Sequence, residues 1–67
     1  MTGALFPTAP IPLAAQIAEV ERELAMRAHA YPRFIERGTL KQEAADRQIA
    51  ALRAALVTLK GIAEARP

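Results

Sequence analysis

Few side chains in this sequence have the chemistry that catalysis or metal binding requires. Cys is absent and His29 is the single histidine, so thiolate catalysis, disulfides and Cys- or His-rich metal sites lack donors. Glu19 and Glu23 have the i, i+4 spacing at which helical carboxylates share a metal, but such sites also use histidines at matching positions. We expect Glu23 to pair with Arg27 instead. The sequence therefore predicts that the protein is not an enzyme and that it binds neither a metal nor a cofactor.

Cationic and aromatic side chains are concentrated in the middle of the chain. Between residues 27 and 41 there are four basic residues and one acidic residue, Glu36, with two aromatic residues among them. Cations interleaved with aromatics can hold phosphates and stack on bases. The predicted ligand-binding residues are Arg27, Tyr31, Arg33 and Arg37.

Two other interpretations of this cluster stay open. Arg27 falls at a position that faces another helix, so Asp46 or Glu43 of the second helix is expected to supply its counter-ion. Alternatively, a row of cations contacts nucleic-acid phosphates, which requires binding that weakens steeply with added salt. That row consists of Arg22, His29, Arg33, Arg37 and Lys41.

Length and composition restrict the chain to one small domain. Its 67 residues include 16 Ala, and 9 basic residues against 7 acidic ones give a net charge of +2. This is a weaker basic balance than that of dedicated nucleic-acid binders. A chain of this size buries about 60% of its unfolded surface and is only marginally stable. Without disulfides or a metal, the remaining common source of stability is oligomerisation.

The first 18 residues carry no charge but do not resemble a signal or a membrane span. Three prolines, at positions 7, 10 and 12, interrupt them, and no Lys or Arg precedes Arg22. We expect residues 1–12 to form a Pro-rich extended arm on a soluble, cytoplasmic protein without membrane contact.

A first helix is predicted over residues 13–37. Its apolar residues recur at helical spacing from Leu13 to Leu24 and continue with Tyr31 and Phe34, with Ile35 beside them. Pro32 removes one backbone hydrogen bond inside this segment. We predict one helix kinked near Pro32, and a break into two helices is the alternative.

A turn at residues 38–39 separates this helix from a second one, predicted over residues 40–64. Gly38 follows the first helix as a C-terminal glycine does, and Thr39 with Gln42 matches a capping box. The apolar seam of the second helix has steps of 4, 3, 4, 3 and 4. Its members are Ala45, Ile49, Leu52, Leu56, Leu59 and Ala63.

Such a short connection predicts an all-α fold, an antiparallel two-helix hairpin over residues 13–67. A second apolar stripe on the second helix predicts further packing, because two helices share only one seam. That stripe consists of Ala44, Ala51, Ala55 and Ile62. We therefore expect a homo-oligomeric helical bundle, most simply a dimer, with a monomer of unusually apolar surface as the alternative. The predicted oligomer-interface residues are Ile17, Val20, Leu24, Ile49, Leu52, Leu56 and Leu59.

The stretch from Glu21 to Leu52 resembles a pattern found in small helical proteins of phage and prophage genomes. The matching parts are R-E-L-A-M-R (22–27), Y-P-R (31–33), G-x-L (38–40) and A-D-R-Q-I (45–49). The resemblance implies a phage setting inside a host cell and stoichiometric binding. The partner would be a host protein, as for a host-defence antagonist, or an anionic ligand such as a signalling nucleotide. A nucleic-acid accessory role and a structural role in the virion are the alternatives.

Overall fold

The computed structural model describes residues 10–66, which form two α-helices joined by a four-residue connection. Helix α1 spans Leu13–Arg37 and helix α2 spans Gln42–Ala65. The helices pack against each other and run antiparallel: Tyr31 meets Gln48 near the turn, and Glu21 meets Lys60 near the open end. The predicted all-helical hairpin is confirmed. Residues 1–9 of the predicted arm lie outside the described residues.

Helix α1 starts immediately after Pro12. This proline has φ −58° and ψ 146°, and its carbonyl accepts the first helical hydrogen bonds, from the N–H groups of Ala15 and Gln16. The Gln16 side chain also donates to the carbonyl of Ile11 at 2.9 Å. Helix α1 then continues through Pro32 to Arg37, so one helix forms rather than two. The predicted kink stays a prediction.

Gly38 ends α1 in the left-handed conformation, with φ 79°. Its N–H donates to the carbonyl of Ile35, and the N–H of Thr39 donates to the carbonyl of Phe34, both at 3.0 Å. These two bonds define a Schellman motif, which satisfies the last carbonyls of a helix. The prediction of a C-terminal glycine at Gly38 is confirmed.

The predicted capping box of α2 is wrong. The Thr39 hydroxyl donates to the Phe34 carbonyl at 3.1 Å, so it serves the end of α1. Helix α2 begins at Gln42, two residues later than predicted, with Lys41 as an N-cap that makes no side-chain capping bond. The Gln42 amide donates instead to the Asp46 carboxylate at 2.9 Å.

Burial in the hairpin is slight. Of residues 10–66 only Ala45 is buried, with 3% of its surface exposed. The large apolar seam side chains of both helices are half-buried, whereas Ala63 at the end of the α2 seam is exposed. In α1 the half-buried residue after Tyr31 is Ile35, while Phe34 is 40% exposed. The prediction that Phe34 continues the seam is therefore wrong. In the described part of the chain, neither helix is long and apolar enough to cross a membrane.

The two glycines in the described residues are expected to respond to alanine with opposite signs. At Gly38, φ 79° is strained for a residue with a Cβ, so Gly38→Ala should lower the free energy of unfolding by about 1 kcal/mol. Gly61 lies inside α2 with open space around an added Cβ, so Gly61→Ala should raise it by about 0.5–1 kcal/mol. Urea unfolding followed by circular dichroism at one protein concentration checks both. Two changes of the same sign would contradict this assignment of the turn.

Candidate functional site

A polar network spans the two helices at the level of Arg27. Arg27 donates through Nε to Glu23 Oε1 at 2.8 Å, and through Nη1 to the Tyr31 hydroxyl at 3.1 Å and to Gln48 Oε1 at 3.2 Å. The Tyr31 hydroxyl also donates to Gln48 Oε1, at 2.5 Å. Glu23, Arg27 and Tyr31 lie one helical turn apart on α1, and Gln48 is the contribution of α2. We call these four residues the cross-hairpin network.

The charge of Arg27 is balanced inside this network. Its guanidinium and the Glu23 carboxylate are each about one-third exposed, and the hydrogen bond that Arg27 donates to Glu23 is the main cause of a raised Arg27 pKa. The predicted Glu23–Arg27 ion pair is confirmed. Asp46 and Glu43 do not supply the counter-ion as expected, because Asp46 bonds to Gln42 on the outside of α2.

The four predicted ligand-binding residues occupy separate places. Arg27 and Tyr31 are brought together in the cross-hairpin network, and the Tyr31 ring lies 6.4 Å from that of Phe34. Arg33 is exposed on the outer side of α1, where its Nη2 lies 3.4 Å from His29 Nε2. Arg37 is exposed in the last turn of α1. The structure therefore contains two candidate regions rather than one pocket, and residues 10–66 enclose no cavity.

The outer side of α1 places two arginines and a histidine at helical spacing. Arg22, His29 and Arg33 are all exposed, and Arg22 donates to the Glu19 carboxylate and to the sulfur of Met26 at 3.0 Å. The bond from Arg22 is the main reason that the pKa of Glu19 is lowered. Within residues 10–66, Arg33 and Arg37 form no ion pair, which leaves their charges available to an anion.

The predicted oligomer-interface residues lie along the seam within one hairpin. All seven are half-buried there, and none is fully buried. They are Ile17, Val20, Leu24, Ile49, Leu52, Leu56 and Leu59. Their first role is to hold the two helices of one copy together.

Two cross-helix contacts were missed by the sequence reasoning. Gln48 has no feature that separates it from other polar residues of α2, except that it directly precedes the seam residue Ile49. Lys60 pairs with Glu21 across the hairpin at 3.2 Å, with both side chains about half exposed. Glu21 and Lys60 each directly follow a seam residue, and this position was the signal in the sequence that could have identified the pair.

The acidic residues of the described segment are dispersed. Glu19 is bonded to Arg22 and Glu23 to Arg27, and no group of three or more His, Asp or Glu side chains in residues 10–66 is positioned to hold a metal ion.

Comparisons of the chain with protein-family models, with curated proteins and with solved structures find no match.

Removing either the Tyr31 hydroxyl or the Gln48 amide should destabilise the hairpin, because each change removes the hydrogen bond between them. Tyr31→Phe and Gln48→Ala should each lower the free energy of unfolding by about 1 kcal/mol, the typical contribution of a hydrogen bond. The double variant should lose less than the sum, because both changes remove the same Tyr31–Gln48 bond. Urea unfolding of the four proteins gives the coupling energy.

The matched control for this cycle is Gln42→Ala, because Gln42 bonds only within α2. Its effect should add to that of Tyr31→Phe without coupling. Additivity of Tyr31→Phe and Gln48→Ala would show that the cross-hairpin bond contributes nothing to stability.

The titration of Glu19 should depend on Arg22. Because the folded pKa lies below the unfolded one, the ion pair stabilises the fold above the unfolded pKa, and this contribution is lost as the pH falls through the folded pKa. Arg22→Gln should move the pKa of Glu19 back toward its ordinary value, whereas Arg33→Gln should not. NMR titration of the Glu19 side chain measures this, and equal shifts in both variants would refute the assignment.

Proposed function

We propose that this chain is a non-enzymatic binding protein that works as a homo-oligomer of helical hairpins. The supporting observation is that Ala45 alone is buried among residues 10–66. Large apolar side chains remain on the surface: Phe34 is 40%, Ile62 45% and Val57 71% exposed. Small chains without disulfides or metals are commonly stabilised by association. A second copy would bury apolar surface that one hairpin leaves in water.

The positions of the hydroxyl groups favour binding over catalysis. The Thr39 hydroxyl donates to the Phe34 carbonyl, the Thr58 hydroxyl donates to the Ala54 carbonyl, and the Tyr31 hydroxyl donates to Gln48. A hydroxyl nucleophile requires a neighbouring base that accepts its proton. These three hydroxyls direct their protons to carbonyl oxygens of the hairpin, which stabilise structure but do not act as bases.

The resemblance of the central stretch to phage and prophage proteins favours a role inside a host cell. In that setting we propose that the oligomer occludes a host protein by stoichiometric binding. Helical faces bind partner proteins through apolar residues at helical spacing. On α2, the exposed residues Ala51, Ala55 and Ile62 supply such spacing, with steps of 4 and 7.

An anionic small ligand, such as a signalling nucleotide, is the second candidate partner. It is favoured by the exposed guanidinium of Arg33, which lies beside His29 and forms no ion pair within residues 10–66. Guanidinium groups bind phosphates with two parallel hydrogen bonds. The charge of Arg27 is already balanced by Glu23, so the candidate ligand site is centred on Arg33 and Arg37.

Native mass spectrometry of gently purified protein tests both candidates. An oligomer at the exact polypeptide mass supports the homo-oligomeric, protein-binding function. An oligomer with additional mass in whole copies per subunit supports the anionic ligand, and Arg33→Ala should then remove that mass. Arg53→Ala is the matched control, because Arg53 is an exposed arginine on α2. A monomer across micromolar concentrations would contradict the proposal.

A further inference from the structure

A stripe of residues on α2 lies beside the seam and is left open by the hairpin. The second apolar stripe of the sequence is completed at the same helical spacing by Gln48 and Thr58, giving steps of 4, 3, 4, 3 and 4. Each member directly precedes a seam residue, and all are exposed except the half-buried Ala44. We call these residues the flanking stripe: Ala44, Gln48, Ala51, Ala55, Thr58 and Ile62.

The flanking stripe lies on the edge of the hairpin that carries the cross-hairpin network. Gln48 belongs to both, and it reaches Arg27 and Tyr31 across that edge. Each edge of the hairpin carries one ion pair: Glu23 with Arg27 in the network, and Glu21 with Lys60 on the opposite edge. The flanking stripe itself contains no charged residue over its full length of about five helical turns. A second helix on the flanking stripe therefore meets no charged side chain of the stripe itself, and the charges of Glu23 and Arg27 on the adjoining edge of α1 are already paired with each other at 2.8 Å.

The flanking stripe is self-complementary: two copies of it placed antiparallel bring residues of matching size and polarity opposite each other. Around the level of residue 53, Ala44 corresponds to Ile62, Gln48 corresponds to Thr58, and Ala51 corresponds to Ala55. Each pair is chemically complementary: small with large, amide with hydroxyl, and small with small. In a two-fold dimer, residue i contacts residue j of the partner and j contacts i. Antiparallel pairing of two α2 helices creates these three pairs, each of them twice.

The hydrogen bonds within one hairpin leave Gln48 with a free donor and Thr58 with a free acceptor. Gln48 uses its oxygen to accept from Arg27 and Tyr31, and its NH₂ group donates to no residue among 10–66. Thr58 uses its hydroxyl proton on the Ala54 carbonyl at 3.1 Å, so its oxygen remains an acceptor. A Gln48 amide meeting Thr58 of a second copy would therefore be a donor meeting an acceptor. In a parallel pair, Gln48 would meet Gln48 and Ile62 would meet Ile62.

We propose that two copies of this chain meet along the flanking stripe, with their α2 helices antiparallel and the two-fold axis level with residue 53. This inference rests on the proposed homo-oligomer and specifies its interface. Ala51 and Ala55 allow the α2 helices to approach closely at the axis, near the lower end of the usual 8–10 Å range. At each end, Ile62 of one copy covers Ala44 of the other. The four helices together form an antiparallel bundle.

Disulfide trapping tests this pairing directly, because the native chain has no cysteine. Ala51→Cys and Ala55→Cys proteins, given tags of different mass, are mixed in equal amounts, equilibrated and oxidised. The expected main product is the disulfide between position 51 of one copy and position 55 of the other, above the share expected from random pairing. Closely packed helices bring these Cα atoms into the range of a disulfide.

The matched control uses Ala50→Cys and Ala54→Cys. These two positions have the same spacing on the same helix and are exposed on its outer side. They should form little disulfide of any kind. Native mass spectrometry of the unoxidised proteins shows in parallel whether the oligomer is present.

The outcomes separate this inference from the function on which it rests. Predominant 51–51 and 55–55 disulfides would mean a parallel pair and would overturn the proposal. Equal or stronger trapping at positions 50 and 54 would place the interface on the outer side of α2 and overturn it too. An intact oligomer that traps at neither pair would refute this interface and leave self-association standing. A monomeric protein would refute both.

Discussion

Two helices can meet along one line only, and this limit on burial governs the rest of the molecule. Each seam side chain has the partner helix on one flank and water on the other, so Leu24, Leu52 and Leu56 remain half-buried. Ala45 is the one buried seam residue among residues 10–66, because a methyl group close to the turn is small enough to be covered, whereas Ala63 at the open end is exposed. The hairpin therefore has the periodicity of a protein core without the enclosure that makes a core stable. Any account of its function must say what covers the remaining apolar surface.

Polar contacts at both edges of the seam compensate for the low specificity of the apolar residues. Leu, Ile and Ala recur every 3 or 4 residues on both helices, so sliding one helix by seven residues would still place apolar groups opposite each other. Such a slip would separate Tyr31 from Gln48 on one edge and Glu21 from Lys60 on the other. These contacts are partly exposed and individually weak, but together they distinguish the native register from its neighbours. Arg27 is accordingly better explained as part of the fold than as a ligand site.

The sequence was sufficient to predict the helices, the turn glycine and most of the seam, because these follow from local spacing. It was insufficient where two local structures compete for one group. Thr39 stands two residues after the end of α1 and three residues before the start of α2, and its hydroxyl bonds to the Phe34 carbonyl at the end of α1 instead of capping α2. The half-buried Ile35 and exposed Phe34 show a similar limit, since adjacent apolar residues leave the seam position ambiguous. Gln48 was missed because spacing identifies a helix face but not which polar side chain reaches across to the other helix.

The distribution of charge indicates how assembly and binding can coexist in a chain this small. Cations such as Arg33 lie on the outer side of α1, whereas the flanking stripe of α2 is free of charge. If two copies join through α2, both α1 helices lie outside the α2–α2 contact. The outer sides of α1, with Arg33 and His29, then remain open and lie next to each other on one side of a four-helix bundle. In such a dimer, self-association and recognition of a further partner would use different surfaces, and the basic surface would be present twice. Two linked copies of a weak site bind a two-fold partner far more tightly than one copy does. Oligomerisation would thus give the hairpin both the stability and the avidity that a single copy lacks.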